Sequence, residues 1–185
     1  MAKVKRILGI DPGTNLMGFG VIEIQNNSIC YIDCGVADMR SEADHLAKLN
    51  VIFEFCVNII SKYEPKELSI EAPFYGKNVQ SMLKLGRAQG IAMAAAISKD
   101  LPVYEYAPRK IKQSISGNGN ASKEMVAGMI EQLLQINTGS LKLDATDALA
   151  VALCHYLQGG KTNVSGSSKS GNWKQFLKNN PGRIA

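Results

Sequence analysis

An α/β fold is expected, built as a five-stranded mixed sheet flanked by helices. Two features of the chain predict it. Three apolar, strand-like runs follow one another at the start, and from about residue 41 helix-like and strand-like runs alternate. The length supports one domain: 185 residues with 45% hydrophobic and 20% charged side chains are ordinary globular values.

The first run, "RILGIDPGT", is a buried strand over Ile7–Ile10 that Pro12-Gly13 ends at once. "GFGVIEIQNN" is the second strand and closes on an Asn26-Asn27 turn, and "SICYIDCGVAD" is the third. With such short connections the three form an antiparallel meander. The period then changes. Leu46, Leu49, Ile52, Phe53, Cys56, Ile59 and Ile60 recur at three and four, which marks an amphipathic helix that ends before Pro65. "ELSIEAPF" is the fourth strand, stopped by Pro73; "NVQSMLKLGRAQGIAMAAAISKD" is a helix; "LPVYEYAP" is the fifth strand. A short helix near 108–114 leads into the loop "SGNGNAS", and "SKEMVAGMIEQLLQI" and "LDATDALAVALCHYL" are the last two helices. Ligands of such folds collect at the carboxyl ends of the strands.

The domain expected is residues 1–158, with 159–185 as a basic, flexible tail of Gly, Ser, Lys and Asn. The net charge of +5 lies entirely in that part of the chain. No acidic residue follows Asp147, while Lys161, Lys169, Lys174, Lys178 and Arg183 do. Such a tail suits an anionic partner, nucleic acid before membrane. There is no apolar run of membrane-spanning length and no signal-peptide pattern, so a cytoplasmic location is the default expectation. Cys30 and Cys34, four apart without a second pair, make a poor zinc pattern and are expected to be buried free thiols.

Four carboxylates carry the chemistry. Asp11 ends the first strand and Glu71 the fourth, each after an apolar residue and shortly before proline. Two residues back on the same faces stand Gly9 and Ser69, both small, so strands lying side by side would bring the two acids together over a shallow floor. Asp144 and Asp147, three apart, share one helical face and are expected in the first turn of an alanine-rich helix that can lie close on the sheet. Each also has a structural reading: a turn former at Asp11, a solvated strand end at Glu71, a helix cap at Asp144, dipole support at Asp147. Drawn together, four carboxylates repel one another and need cations. Oxygen-only ligands select Mg²⁺ or Mn²⁺ over Zn²⁺. Two such ions about 4 Å apart can activate a water and stabilise the leaving oxygen of a phosphodiester.

"ILGIDPGT", "SIEAPFYGKN", "LKLGRAQG", "YAPRKIKQSISGNGNASK" and "LDATDALAVALCH" occur in an order that resembles the RuvC-type Holliday junction resolvases, over about residues 4–158. That resemblance implies an RNase H-like fold, with Asp11, Glu71, Asp144 and Asp147 as metal-binding catalytic acids. It implies Mg²⁺ as cofactor, with Mn²⁺ able to substitute and two ions per site, and a homodimer formed through the "LKLGRAQG" helix. It further implies symmetric cutting of two strands of like polarity in a four-way junction, ligatable 5′-phosphate ends, and work alongside a branch-migration complex of the RuvA and RuvB type. Phe74, with Tyr75 beside it, suits stacking on an unpaired base at a junction centre. Arg109, Lys110, Lys112 and Lys123 flank the Gly-Asn loop and suit phosphate contacts, and the resemblance assigns Lys112 and Lys123 to DNA binding and cleavage. His155, two turns beyond Asp147, is expected to be structural.

Three rivals stay open at this stage: a nuclease of the same fold acting on RNA or hybrids, a junction-binding scaffold without cleavage, and an ATPase lobe. The last rests on "GIDPGT", which is also similar to the first phosphate loop of the actin-type superfamily; that superfamily needs two lobes and a longer chain.

Overall fold

A computed structural model describes residues 4–26, 28–73, 78–139 and 141–159. Phe74, Tyr75 and nearly all of the basic tail lie outside these residues. Five strands form one sheet: β1 (Lys5–Asp11), β2 (Leu16–Gln25), β3 (Ser28–Asp38), β4 (Glu67–Glu71) and β5 (Val103–Tyr106), in the order β3-β2-β1-β4-β5. The first three are the antiparallel meander, while β4 and β5 run parallel to β1 through helical crossovers. The helices are α1 (His45–Tyr63), α2 (Val79–Ile97), α3 (Pro108–Ser116), α4 (Lys123–Leu134) and α5 (Leu143–Leu157).

Strand alternation sorts the sheet into two faces. Leu8, Ile10, Met17, Val21, Leu68 and Ile70 pack with α1 and α2, whose buried positions include Ile52, Cys56, Ile59 and the alanines 88, 92, 95 and 96. Ile7, Ile22, Tyr104 and Tyr106 pack with α3, α4 and α5 on the other face. Asp11, Gly9, Ser69 and Glu71 have the parity of this second face, so the acid tips point toward α5.

Helix α5 lies against the sheet backbone to backbone. A methyl group on Gly9 would stand 2.1 Å from the Ala148 carbonyl oxygen, and one on Gly20 would stand 2.8 Å from the Leu149 nitrogen. These two glycines are direct cross-strand partners. The alanines of α5 and the glycines of β1 and β2 thus supply the close approach from both sides.

Side chains cap three helices: Asp44 accepts from the Ala47 N–H at 2.8 Å, Asn78 from Ser81 at 3.0 Å, and Ser122 from Met125 at 3.2 Å. Helix α5 begins differently. Lys142 holds its cap position without a side-chain bond, so Asp144 is not the cap. Asp144 stands in the first turn, but Asp147 lies a turn further in, a correction to the expectation that both sit there. A second correction concerns the thiols. Cys30 is exposed and Cys34 only half-buried, because β3 is an edge strand; Cys56 and Cys154 are buried.

His155 is buried and locks the far end of α5 to the sheet. Its Nδ1 lies 2.7 Å from the Tyr106 hydroxyl and its Nε2 lies 2.5 Å from Glu67 Oε2. Glu67 also pairs with Lys5 at 2.6 Å. A carboxylate only accepts, so Nε2 carries the proton and Nδ1 accepts from Tyr106. Burial lowers the His155 pKa against the pull of Glu67. The Glu67 carboxyl is itself lowered, as the bonds from Lys5 and His155 outweigh its burial. A lowered histidine pKa means that the unfolded chain binds the extra proton first. This part of the stability is present above the unfolded histidine value and is lost as pH falls below about 6.5. His155→Ala is expected to cost roughly 2–4 kcal/mol in urea unfolding at pH 7.5, since it takes the imidazole away from the Glu67 carboxylate and the Tyr106 hydroxyl and leaves a cavity in its place.

Candidate active site

Parallel pairing sets the site. Gly9 pairs with Ser69 and Ile10 with Ile70, so the same register one step on puts Asp11 beside Glu71. From the opposite side of β1, Gly18 of β2 pairs with Asp11. A methyl on Gly18 would stand 1.9 Å from the carbonyl oxygen of Asp144, which places the start of α5 directly over the end of β1.

An open cleft of about 460 Å³ results, lined by Asp11, Glu71, Asp147, Lys112 and Lys123, with Pro108, Ile111, Val126 and Ala150 as its apolar wall. A second cleft, about 440 Å³, shares Asp11 and Glu71 and continues along Pro12, Ala72, Pro73, Leu85 and Gln89. The two strand-end acids therefore form the ridge between two clefts. Asp144 lines neither, yet its charge acts on Asp11.

Electrostatics at the ridge are strained. Burial, then the negative charges of Glu71 and Asp147, pushes the Asp11 carboxyl up to about 8, against the relief given by Lys123. Burial and Asp147 push Glu71 up to about 7, opposed by Lys123 and Lys112. Lys123 donates to Asp147 Oδ2. Its burial disfavours its charge, but that bond and the fields of Asp147, Asp11 and Asp144 prevail and hold its pKa above the ordinary value.

The donor set, four carboxylates and no sulfur or imidazole, fits a hard divalent cation. Among the described residues no three such groups come close enough together to enclose an ion already. Asp11, Glu71 and Asp147 line one cleft, and Asp144 stands outside it.

The basic residues divide. Lys112 and Lys123 reach the acid-lined cleft. Arg109 is exposed beside Gly119 and, with Lys112, Pro108 and Asn120, lines a separate groove on the outer side of α3. Lys110 lines neither, and its charge acts on Cys154 of α5. Residues that periodicity did not single out also build the site. Gln89 of α2, buried, donates from Nε2 to the Glu71 carbonyl at 3.2 Å and pins the strand end. The available signal was a lone amide on the alanine face of α2. Gly18 was likewise unmarked, since only the cross-strand register shows what lies above it.

A five-stranded mixed sheet with acids at the carboxyl end of its central strands, crossed by a helix bearing two more, defines the RNase H-like nuclease class. The family model "Crossover junction endodeoxyribonuclease RuvC" matches residues 7–155. Crossover junction endodeoxyribonuclease RuvC of Christiangramia forsetii is 53% identical over 178 residues, covering 96% of this chain and 92% of that protein. The protein of the same description from Bacteroides fragilis is 53% identical over 184 residues, covering 98% and 97%. The structure of T. thermophilus RuvC in complex with a Holliday junction substrate superposes with a TM-score of 0.78 at 27% identity, covering 84% of this chain and 95% of that one. The chain belongs to the RuvC family of crossover junction endodeoxyribonucleases, nucleases that hydrolyse DNA phosphodiester bonds.

Proposed function

We propose that this chain resolves four-way DNA junctions as a homodimer, cutting two strands of like polarity symmetrically and leaving ligatable 5′-phosphate ends. One observation carries the reading: Asp11, Glu71 and Asp147 meet Lys112 and Lys123 in a single cleft at the carboxyl edge of β1 and β4. Asp11, Glu71, Asp144 and Asp147 would hold the metal, Mg²⁺ with Mn²⁺ as a substitute and two ions per site. When bound, these ions supply charge neutralisation for the entering and leaving oxygens of the phosphodiester. The chain's own groups do the rest. The strand ends keep Asp11 and Glu71 in fixed positions, as rigid elements hold functional groups better than loops do. Gln89 holds the Glu71 backbone. Lys112 and Lys123 hold the phosphate, and Arg109 and Lys110 extend the basic surface along α3. Phe74 and Tyr75, which lie outside the described residues, would stack on unpaired bases.

Homodimerisation through α2 is supported by its exposed apolar residues. Val79 and Leu83 stand one turn apart beside a groove that also includes Met82, Ala72 and Pro73. A two-fold dimer would present one cleft to each of two equivalent strands. The family resemblance adds a RuvA and RuvB type branch-migration complex as the working partner. Residues 1–158 form the nuclease domain in this reading, and the tail from 159 adds basic surface. No described helix is long and apolar enough to cross a membrane.

The test is cleavage of a labelled mobile four-way junction with Mg²⁺, beside linear duplex, RNA–DNA hybrid and single strand of the same sequence. Paired symmetric nicks in the junction alone are expected; equal cutting of hybrid would replace the reading with a different nuclease. Lys112→Ala is expected to lower the junction cleavage rate about 100-fold in single-turnover assays, the scale of one lost electrostatic contact to the transition state.

A further inference from the structure

Lys123 stands where helix physics gives it no reason to be. It is the first residue of α4, already capped by Ser122, at the end of a helix that disfavours cations. Its ammonium is instead bonded to Asp147, one of the acids proposed to hold metal. The two side chains are unequally anchored: Lys123 is 52% exposed and Asp147 18%. The lysine can leave; the aspartate stays. Lys112, the other lysine of the cleft, makes no ion pair among the described residues and acts on Glu71 only through its field.

Building on the metal-site reading above, we infer that Lys123 is a built-in stand-in for metal charge: it holds Asp147 in the metal-free site, and a divalent cation that takes Asp147 releases it to the scissile phosphate. Charge supports the exchange. Three carboxylates in the cleft, with the charge of Asp144 beside them, against two lysines leave the site short of positive charge, and the nearest lysine is drawn in to offset it. Divalent cations at the acids remove that deficit, after which the most negative group within reach of Lys123 is the phosphate of the substrate. The device would keep the crowded acids tolerable before loading. It would also make the lysine available to DNA only when the site is ready to cut.

The exchange predicts direct competition between Lys123 and metal, which is measurable without DNA and without catalysis. Mn²⁺ and Mg²⁺ are titrated calorimetrically into wild type, Lys123→Met, Lys112→Met and Asp147→Asn. Lys123→Met is expected to bind the first ion about five- to tenfold more tightly than wild type. Lys112→Met removes a charge from the same cleft without freeing Asp147, and is expected to change affinity by less than about twofold. A second measurement does not depend on how the variant folds. In wild type carrying ¹³C-dimethylated lysines, the resonance absent from Lys123→Met should shift when Mg²⁺ is added, and should lie near the shifted position in metal-free Asp147→Asn. Unchanged affinity in Lys123→Met, or equal tightening in Lys112→Met, would overturn the exchange and leave the metal site standing. Absence of ion binding in wild type and both lysine variants would overturn the metal site itself.

Discussion

Asp11→Asn is expected to lower junction cleavage by at least about a thousandfold, with junction binding in EDTA retained, because in the proposed function the acid serves the charge of the reacting centre and not the fold. The same substitution should stabilise the metal-free protein. The Asp11 carboxyl is pushed to about 8 by burial and by its acidic neighbours. Its pKa is raised on folding, so the native state holds a proton that the unfolded chain has already lost. Metal-free stability therefore falls as pH climbs from the ordinary carboxylate range toward 8. Asparagine removes that cost. The gain should be near zero at pH 4 and on the order of 2–4 kcal/mol at pH 8, read as a higher melting temperature in EDTA. Glu71, pushed to about 7, contributes in the same direction over a narrower window. Saturating Mg²⁺ should raise the melting temperature of wild type at pH 8 and leave Asp11→Asn nearly unmoved. Equal melting of the two proteins in EDTA at pH 8 would count against a crowded, repelling acid set.

Gly9→Val is expected to be among the most damaging substitutions in the sheet. Its first side-chain carbon would stand 2.1 Å from the Ala148 carbonyl oxygen and 2.7 Å from the Ala152 nitrogen, both backbone atoms that cannot rotate away. Helix α5 must lift, and with it Asp144 and Asp147. Overpacking of this kind costs about 3 kcal/mol or more, and the loss should appear in urea unfolding midpoints. Even a folded remnant should cut poorly, since displacement of the helix moves two of the four acids. Gly128→Ala, on α4 with open space around the position, is the matched control and should be neutral or slightly stabilising.

The contrast between Gly9 and Gly128 shows how far local pattern reaches. In sequence both are single glycines in apolar runs. Only the packing of α5 on β1 separates an indispensable hydrogen from a replaceable one.

The four acids were legible because each carries a local mark: proline shortly after Asp11 and Glu71, and a three-residue spacing on an alanine-rich helix for Asp144 and Asp147. The strands and helices were legible for the same reason, since periods of two and of three to four record which face is buried. Those marks act over a few residues. The meeting of the acids does not. The parallel register that puts Asp11 beside Glu71, the Gln89 bond to the Glu71 carbonyl, the Lys123 bond to Asp147 and the join of His155 to Glu67 and Tyr106 span 18 to 88 positions. Such contacts are chosen by which side chains fill the space between a sheet and a helix once the chain has closed. A run of residues records its own periodicity but not the partner that will face it. The candidate acids were therefore marked in the sequence, while their pairing, the raised pKa values of Asp11 and Glu71 and the lysine that answers Asp147 were decided by the tertiary structure.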